Sequence, residues 1–386
     1  MGVTFRGNAD PASTIAKPSL ETASYRRHVS SPRYSVIVVG AGIVGLTSAW
    51  RLARAGHSVT VFDSRVGRGA TWAAAGMIAP HAEIAPGERA NFELQRRALG
   101  AWQLLSREFE EVCGRGIDIA VTGTLLTGWD VSDRRLVDQF RGVADDFGVT
   151  TRVMRRETDP VAFAGLSDRI STGVFLDGDA WLDPDTAVTR LSEGLTAMGV
   201  VLVPHVVDRI EGDVDGVRVH YDGQSLWAHA GILATGATSL PEGATPTGEH
   251  AVRPVRGMTL RVHGPDRSLA PTLRCLVRGR PFYMVSRPGG YCVIGASSEE
   301  RAGPLVEVGE LQRLLRDALD VVPELESCSL DETRVGLRPA STNVEPFFEA
   351  WPGRRWAWSS GHFRHGVTLA PLTAQSAVQF VEEVVS

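Results

Sequence analysis

The stretch Val36-Ile-Val-Val39-Gly40-Ala-Gly42-Ile-Val-Gly45 decides the architecture of this 386-residue chain. Its four consecutive β-branched residues suit a strand buried on both faces of a parallel sheet, and a GxGxxG loop follows without a gap. Leu46 to Ala55 has helical composition and stops at Gly56, after which Ser58-Val-Thr-Val-Phe62 reads as a second strand closed by Asp63. The three pieces make a complete βαβ unit. In such a unit Gly40 permits the tight turn, Gly42 lets the backbone approach a pyrophosphate, and Gly45 lets helix and strand pack closely. Asp63 is placed to accept from a ribose hydroxyl. The spacing predicts a dinucleotide site. It leaves nicotinamide and flavin both open, because they share the ADP half that this unit grips.

Composition bounds what surrounds the unit. With 43% hydrophobic and 22% charged residues the chain reads as an ordinary globular protein, and its length predicts about two domains. Forty Lys and Arg against 45 Asp and Glu give a net charge of -5, which argues against a nucleic-acid partner. Cys113, Cys275, Cys292 and Cys328 lie far apart and form no CxxC pair. A metal knuckle, a redox motif and a secreted disulfide framework are all disfavoured, so reduced thiols in a cytoplasm are expected. Glycine, at 41 residues, is about 11% of the chain against an average of roughly 7%, which suggests tight turns or close approach of backbone to a ligand. Arg26-Arg27 before Val36 to Ala49 imitates a twin-arginine signal, but that stretch is too short to span a bilayer and no Ala-x-Ala site follows it. Residues 1–32 read as a flexible polar extension.

Three later segments bear on the cofactor. Arg65-Val-Gly-Arg-Gly69-Ala-Thr71-Trp-Ala-Ala-Ala75-Gly76-Met77-Ile-Ala-Pro80 is rich in small residues where a nicotinamide enzyme would continue with a third strand and helix. Such a run suits backbone lying on a flat ring, or else a small-residue helix packed on the sheet. Ala230-Gly-Ile-Leu-Ala-Thr-Gly236 is a short apolar strand ending in Ala-Thr-Gly. Trp358-Ser-Ser-Gly361-His-Phe-Arg364-His365-Gly366-Val-Thr-Leu reads as strand, glycine loop and helix. A helix beginning near Gly366 would aim its N-H groups at an anionic ring. Elsewhere Phe92 to Cys113, Asp133 to Phe147 and Pro184 to Met198 read as helices. Val200 to Val203, Met258 to His263, Leu273 to Val277, Phe282 to Ser286 and Tyr291 to Ile294 read as short strands, and Val217 to Tyr221 alternates before an Asp222-Gly223 turn.

Taken together these segments resemble the flavin-dependent amine oxidases of the D-amino acid oxidase superfamily, most closely the glycine oxidases and the ThiO-type oxidases of thiazole synthesis. The match rests on Gly40 to Gly45, Ala73-Ala-Ala-Gly-Met-Ile-Ala-Pro-His-Ala-Glu83, Arg253-Pro-Val-Arg-Gly257, Tyr283-Met-Val-Ser-Arg287, Val293-Ile-Gly-Ala296, Gly336-Leu-Arg-Pro339 and Gly361 to Pro371. The resemblance implies an α/β fold in which an interrupted Rossmann-like FAD-binding domain is joined to a mainly antiparallel substrate domain flanked by helices. Its implied segments are 33–80, 150–240 and 331–386 for FAD, and 81–149 and 241–330 for substrate. It further implies noncovalent FAD held by Gly40, Gly42, Ile43, Val44, Gly45, Asp63, Ser64, Thr71, Ala74, Ala75, Gly76, Met77, Val207, Ala234, Gly236, Arg364, His365, Gly366, Val367 and Thr368.

Oxidising an α-amino acid requires an anchored carboxylate and a Cα-H aimed at flavin N5, with no protein nucleophile. The family's carboxylate-binding Arg falls on Arg338, its pocket Tyr on Tyr283, and an Arg beside both flavin and substrate on Arg364. Blander readings stand beside these: an interdomain ion pair for Arg338, a core aromatic for Tyr283, exposed loop residues for Arg364 and His365. No metal ligand set is read from His362 and His365. Met258 stands where Gln or Glu is usual, His365 replaces a common Asn, and Thr342-Asn-Val-Glu-Pro-Phe-Phe-Glu349 lacks the usual Asp and Ile-Gly. These departures are expected near the pocket and open the substrate to an N-substituted or bulkier glycine. His365, with an ordinary pKa of about 6.5, is expected to change charge within the working pH range. Expected partners are a small amino acid or amine, O2 and, as an option, a second copy of the chain, with neither nucleic acid nor membrane. A quinone-linked dehydrogenase and a non-catalytic flavin-binding scaffold are the competing readings.

Overall fold

The first strand, Ser35–Val39, lies between Ser58–Phe62 and Ala230–Leu233, parallel to both. Val36, Ile37, Val38 and Val39 are all buried, as a β-branched run covered on two faces should be. The structure, a computed structural model, describes residues 33–245, 250–266, 270–342 and 345–385; the expected extension over 1–32 lies outside them. The sheet runs Phe347–Ala350, Trp356–Ser360, Ala230–Leu233, Ser35–Val39, Ser58–Phe62, Val201–Val203, and only its Phe347–Ala350 edge is antiparallel.

Seven α-helices occur among the described residues: α1 (Ile43–Arg54), α2 (Ala70–Ala73), α3 (Arg89–Cys113), α4 (Val131–Asp146), α5 (Pro184–Ala197), α6 (Val308–Val321) and α7 (Gly366–Val385). Helix α1 ends at Ala55 and Gly56 follows with φ +90°, the left-handed exit its glycine allows. One core joins α1 (Leu46, Trp50), α3 (Trp102, Leu105, Phe109) and α7 (Phe380, Val381) to the parallel sheet. Pro371 sits inside α7 and offers no N–H to the carbonyl of Val367 four residues earlier. The indole Nε1–H of Trp102 supplies that donor instead, 2.8 Å from the Val367 oxygen.

A second sheet of eight strands runs Ser329–Ser341, Val252–His263, Tyr291–Gly295, Arg280–Ser286, Thr272–Val277, Thr124–Gly128, Thr172–Leu176, Thr151–Arg155. Every pairing is antiparallel except Thr124–Gly128 with Thr272–Val277. Its alternation is strict: Met258, Leu260, Leu273, Met284 and Ile294 pack with α6 on one face. Arg274, Tyr283 and Gly295 form one cross-strand row on the other.

The division of the chain between the two sheets differs from the expected segments. Thr151–Arg155, Thr172–Leu176 and all but the first two residues of Ser329–Ser341, expected with the FAD-binding part, pair in the eight-stranded sheet. Helix α3, expected with the substrate part, packs in the core under the parallel sheet. An apolar strand alternates in the same way whichever sheet receives it, so the boundary is set by pairing partners distant in sequence.

Candidate active site

A single cleft of about 1100 Å³ runs between the C-terminal ends of the parallel strands and the Arg274–Tyr283 face of the large sheet. At one end lies the phosphate loop. Gly40 has φ +105°, and a Cβ there would overlap the Ala234 carbonyl. A Cβ on Gly45 would overlap the Gly40 carbonyl, so this glycine is where helix and strand pack. The loop is further tied by Asp63, whose Oδ2 accepts the Ala41 N–H at 2.7 Å, and by the Thr71 hydroxyl, which accepts the Ile43 N–H at 3.1 Å. Gly42 precedes α1 with no side-chain cap of its own; with the Ile43 N–H taken by Thr71, the N–H groups of cleft-lining Gly42 and Val44 meet no acceptor among the described residues. The first turn of α7, Gly366 to Thr368, meets the same cleft, and the Thr368 hydroxyl donates to the Met77 carbonyl at 3.1 Å.

The small-residue run forms the middle of the cleft. Both of its sequence readings hold in part: Ala70–Ala73 is a short helix, whereas Ala74 is extended and continues into strand Met77–Ile78. Smallness is also demanded by neighbours. A Cβ on Gly76 (φ +79°) would overlap the Leu182 carbonyl, and one on Gly336 would crowd Ala73.

At the far end are Arg338, Tyr283, Arg364, Arg274 and Glu83. Arg338 Nη1 donates to the carbonyls of Arg256 and Ser297, 3.2 Å each, and among the described residues no carboxylate pairs with it. Burial, helped by the nearby Arg364, lowers the Arg338 pKa from its usual value, and the more distant Glu299 and Glu83 offset this only in part. Tyr283 packs its ring over Gly295, and burial pushes its phenol up, so it stays neutral. Arg364 Nε donates to Glu83 Oε2 at 2.7 Å, and Arg274 pairs with the other oxygen of the same carboxylate. Burial opposes the Glu83 charge, yet Arg274 and Arg364 hold it down to about 2.

All sequence-predicted cofactor and substrate residues line this cleft except Gly45. Two expectations are corrected. His365 is 4% exposed, and burial pushes it down to about 4; it is neither the loop residue facing solvent nor a group that titrates near neutrality. Met258 does not border the cleft, because its strand register turns it into the core beside α6. Of the 342–349 run, residues 343 and 344 lie outside the described set and none of the others lines the cleft. Sequence reasoning missed the roles of Arg274 and Glu83. The signal for Arg274 was present, a lone charge in Thr272-Leu-Arg-Cys-Leu-Val277 on the face that Tyr283 shares.

Among the described residues no cluster of His, Cys, Asp and Glu could hold a metal ion, and no helix is long and apolar enough to cross a membrane. Residues 35–379 match the family model described as FAD dependent oxidoreductase. The glycine oxidase of Bacillus licheniformis is 30% identical over 361 residues, covering 90% of this chain and 93% of that protein. Among solved structures, glycine oxidase from Geobacillus kaustophilus is similar with a TM-score of 0.81 at 24% identity, covering 91% of this chain and 95% of that one. Iminodiacetate oxidase from Chelativorans sp. BNC1 gives 0.80 at 23% identity, covering 90% and 95%.

Proposed function

This chain belongs to the FAD-dependent oxidoreductase family, and from that premise we propose that it oxidatively deaminates glycine or a small N-substituted glycine, with O2 as acceptor and hydrogen peroxide as product. The observation that carries the reading is Arg338: a half-buried guanidinium in the cleft, without a carboxylate ion pair among the described residues, beside the neutral hydroxyl of Tyr283. Its fork matches a substrate carboxylate with two parallel bonds.

The cleft fits FAD. Its glycine loop and two helix N-termini offer N–H donors to phosphates and to an anionic ring, and Asp63 lies at the ribose distance along the chain. We assign the ADP half to Gly40, Gly42, Ile43, Val44, Asp63, Ser64, Val207, Ala234 and Gly236, and the ring to Thr71, Ala74 to Met77 and the 364–368 turn. Gly45 acts through helix packing. The six-stranded sheet with α1, α3, α5 and α7 then forms the FAD-binding part, and the eight-stranded sheet the substrate part.

FAD held by these residues would supply the two-electron chemistry of the reaction, taking a hydride from the substrate Cα for delivery to an acceptor. The chain's own groups orient. Arg338 holds the carboxylate and Tyr283 donates to it. Glu83 fixes Arg274 and Arg364 at the substrate end; held near 2, it is too weak a base to take the amine proton. His365, neutral at working pH, adds no charge to the ring's surroundings. The imine leaves for hydrolysis by water, giving the 2-oxo acid. We further infer a cytoplasmic setting from the sequence positions of the four cysteines, which are far apart and unpaired by motif.

The test is an anaerobic panel of glycine, N-methylglycine, iminodiacetate and small D-amino acids, followed by bleaching of the flavin band. Bleaching by a glycine-type amine, then recovery in air with stoichiometric peroxide, supports the reading. Reduction without reoxidation by O2 would make the enzyme a dehydrogenase, and no reduction by any α-amino acid would overturn the substrate class.

A further inference from the structure

Residues 72–76 lie between the cleft, which Ala73 to Gly76 line, and three arginines. Arg261 Nη2 donates to the carbonyls of Trp72 (3.2 Å) and Ala74 (3.0 Å), and its Nη1 donates to the Thr259 hydroxyl (3.1 Å). Thr259 in turn donates to the Ala73 carbonyl at 2.8 Å. Arg334 Nη1 donates to the Trp72 carbonyl at 2.9 Å, and Arg287 Nη2 to the Ala75 carbonyl at 2.8 Å. Four consecutive carbonyls are thus drawn toward the large sheet, and none of the three arginines lines the cleft.

A trans peptide points its C=O and N–H in opposite directions. With the Ala74 and Ala75 oxygens held by Arg261 and Arg287, the N–H groups of Ala75 and Gly76 are turned away from the sheet. Both residues line the cleft, and among the described residues no acceptor meets either N–H. Buried backbone donors are almost always paired, so these two await an acceptor from whatever fills the cleft. An isoalloxazine edge offers such acceptors.

The charges are ordered as well as the hydrogen bonds. Asp183 pairs with Arg287, and Asp185 and Glu332 pair with Arg334; these carboxylates are 30%, 52% and 39% exposed and face water, whereas the cations face the peptides. Arg261 has no carboxylate partner among the described residues. Burial and the neighbouring Arg334 lower it to about 10, so it remains charged at neutral pH. Asp185 and Glu332 support its charge only at a distance, so a cation without a direct ion pair in this position favours a negative charge at the cleft beside it.

We propose that Arg261, Arg287 and Arg334 form a cationic buttress behind residues 72–76, which aims the Ala75 and Gly76 N–H groups at the flavin ring and favours its reduced, anionic form. The inference rests on the assignment above of the ring to this segment. A clamp that was only structural would alter the affinity for oxidised and reduced flavin equally. A buttress alters their ratio, and that ratio sets the reduction potential.

The experiment measures the potential of the bound flavin against a reference dye in Arg261→Met and Arg261→Lys holoenzymes, with FAD dissociation from the oxidised form measured in parallel. Arg261→Met should lose about tenfold of the preference for reduced flavin, a drop of about 30 mV for a two-electron couple. Arg261→Lys, which keeps the charge, should recover most of it. If Arg261→Met fails to fold, Arg334→Gln, at the rim of the cluster, should lower the potential in the same direction. An unchanged potential in a flavin-loaded variant would overturn the buttress and leave the FAD reading intact. A wild-type protein that binds no flavin would overturn both.

Discussion

Arg338→Ala separates what a half-buried guanidinium does for the fold from what it does for the substrate. In the fold it makes two bonds of 3.2 Å, both to carbonyls, and no ion pair among the described residues. Losing them costs about 1 to 3 kcal/mol each, less than the stability of an ordinary domain of this size, so the variant should fold and retain its flavin. Toward a substrate carboxylate the same group offers two charge-assisted bonds of at least about 1.5 kcal/mol each. Their loss, about 3 kcal/mol, lowers the efficiency of flavin reduction on the order of a hundredfold, and misorientation of the Cα-H adds to it. Lysine preserves the charge and one bond and should recover about tenfold. Gly257→Ala gives an independent perturbation: a Cβ there would overlap the guanidinium, displacing Arg338 without removing it. The assay is anaerobic stopped-flow with glycine-type substrates, separating the limiting reduction rate from substrate affinity. Near-normal reduction by a flavin-loaded Arg338→Ala would refute the assignment and move the anchor to Arg274 or Arg364.

Gly42→Val should abolish FAD retention by placing a side chain in the phosphate cradle, read as the ratio of flavin to protein absorbance after purification. His365→Asn should leave the pH profile of flavin reduction unchanged from about pH 6 upward, because the buried imidazole is already neutral there; a lost acid limb would contradict its burial. Unfolding lets buried His362 and His365, pushed down to about 4, regain the ordinary 6.5 and take up protons. Stability from these two is therefore full above 6.5 and lost as pH falls toward 4, whereas the Glu83 contribution is full above 4.5 and lost toward 2. Tm measured across both windows should flatten in the upper one for a double histidine-to-asparagine variant and in the lower one for Glu83→Gln. Trp102→Phe leaves the Val367 carbonyl buried without its donor and should destabilise by about 1 to 3 kcal/mol in denaturant titrations.

What sequence could disclose depended on how far apart the interacting groups lie. The unit from Val36 to Asp63 was legible because strand, turn and helix are fixed by neighbours within a few residues. The small-residue run was legible as a feature, but half of its cause, the Leu182 carbonyl and the Gly336 backbone, lies a hundred or more positions away. Arg261 and Arg334 reach carbonyls 187 and 262 residues distant and belong to no local motif, so nothing near them announced a role. His365 shows the other limit. Its place in the Gly361 loop was readable, but its burial, which decides its charge, arises from elements far along the chain.

The placement of α7 carries a consequence for how the holoenzyme is made. Its first turn completes the cleft, its Ala370 carbonyl accepts the Thr47 hydroxyl of α1 at 3.2 Å, and its Val367 carbonyl is held by Trp102. A chain emerging from the ribosome exposes its phosphate loop well before the partner of that loop, because Thr47 and Ala370 lie 323 residues apart. Capture of the cofactor therefore waits until α7 has emerged, and a translation product halted before Gly361 would carry the complete dinucleotide motif and hold no flavin.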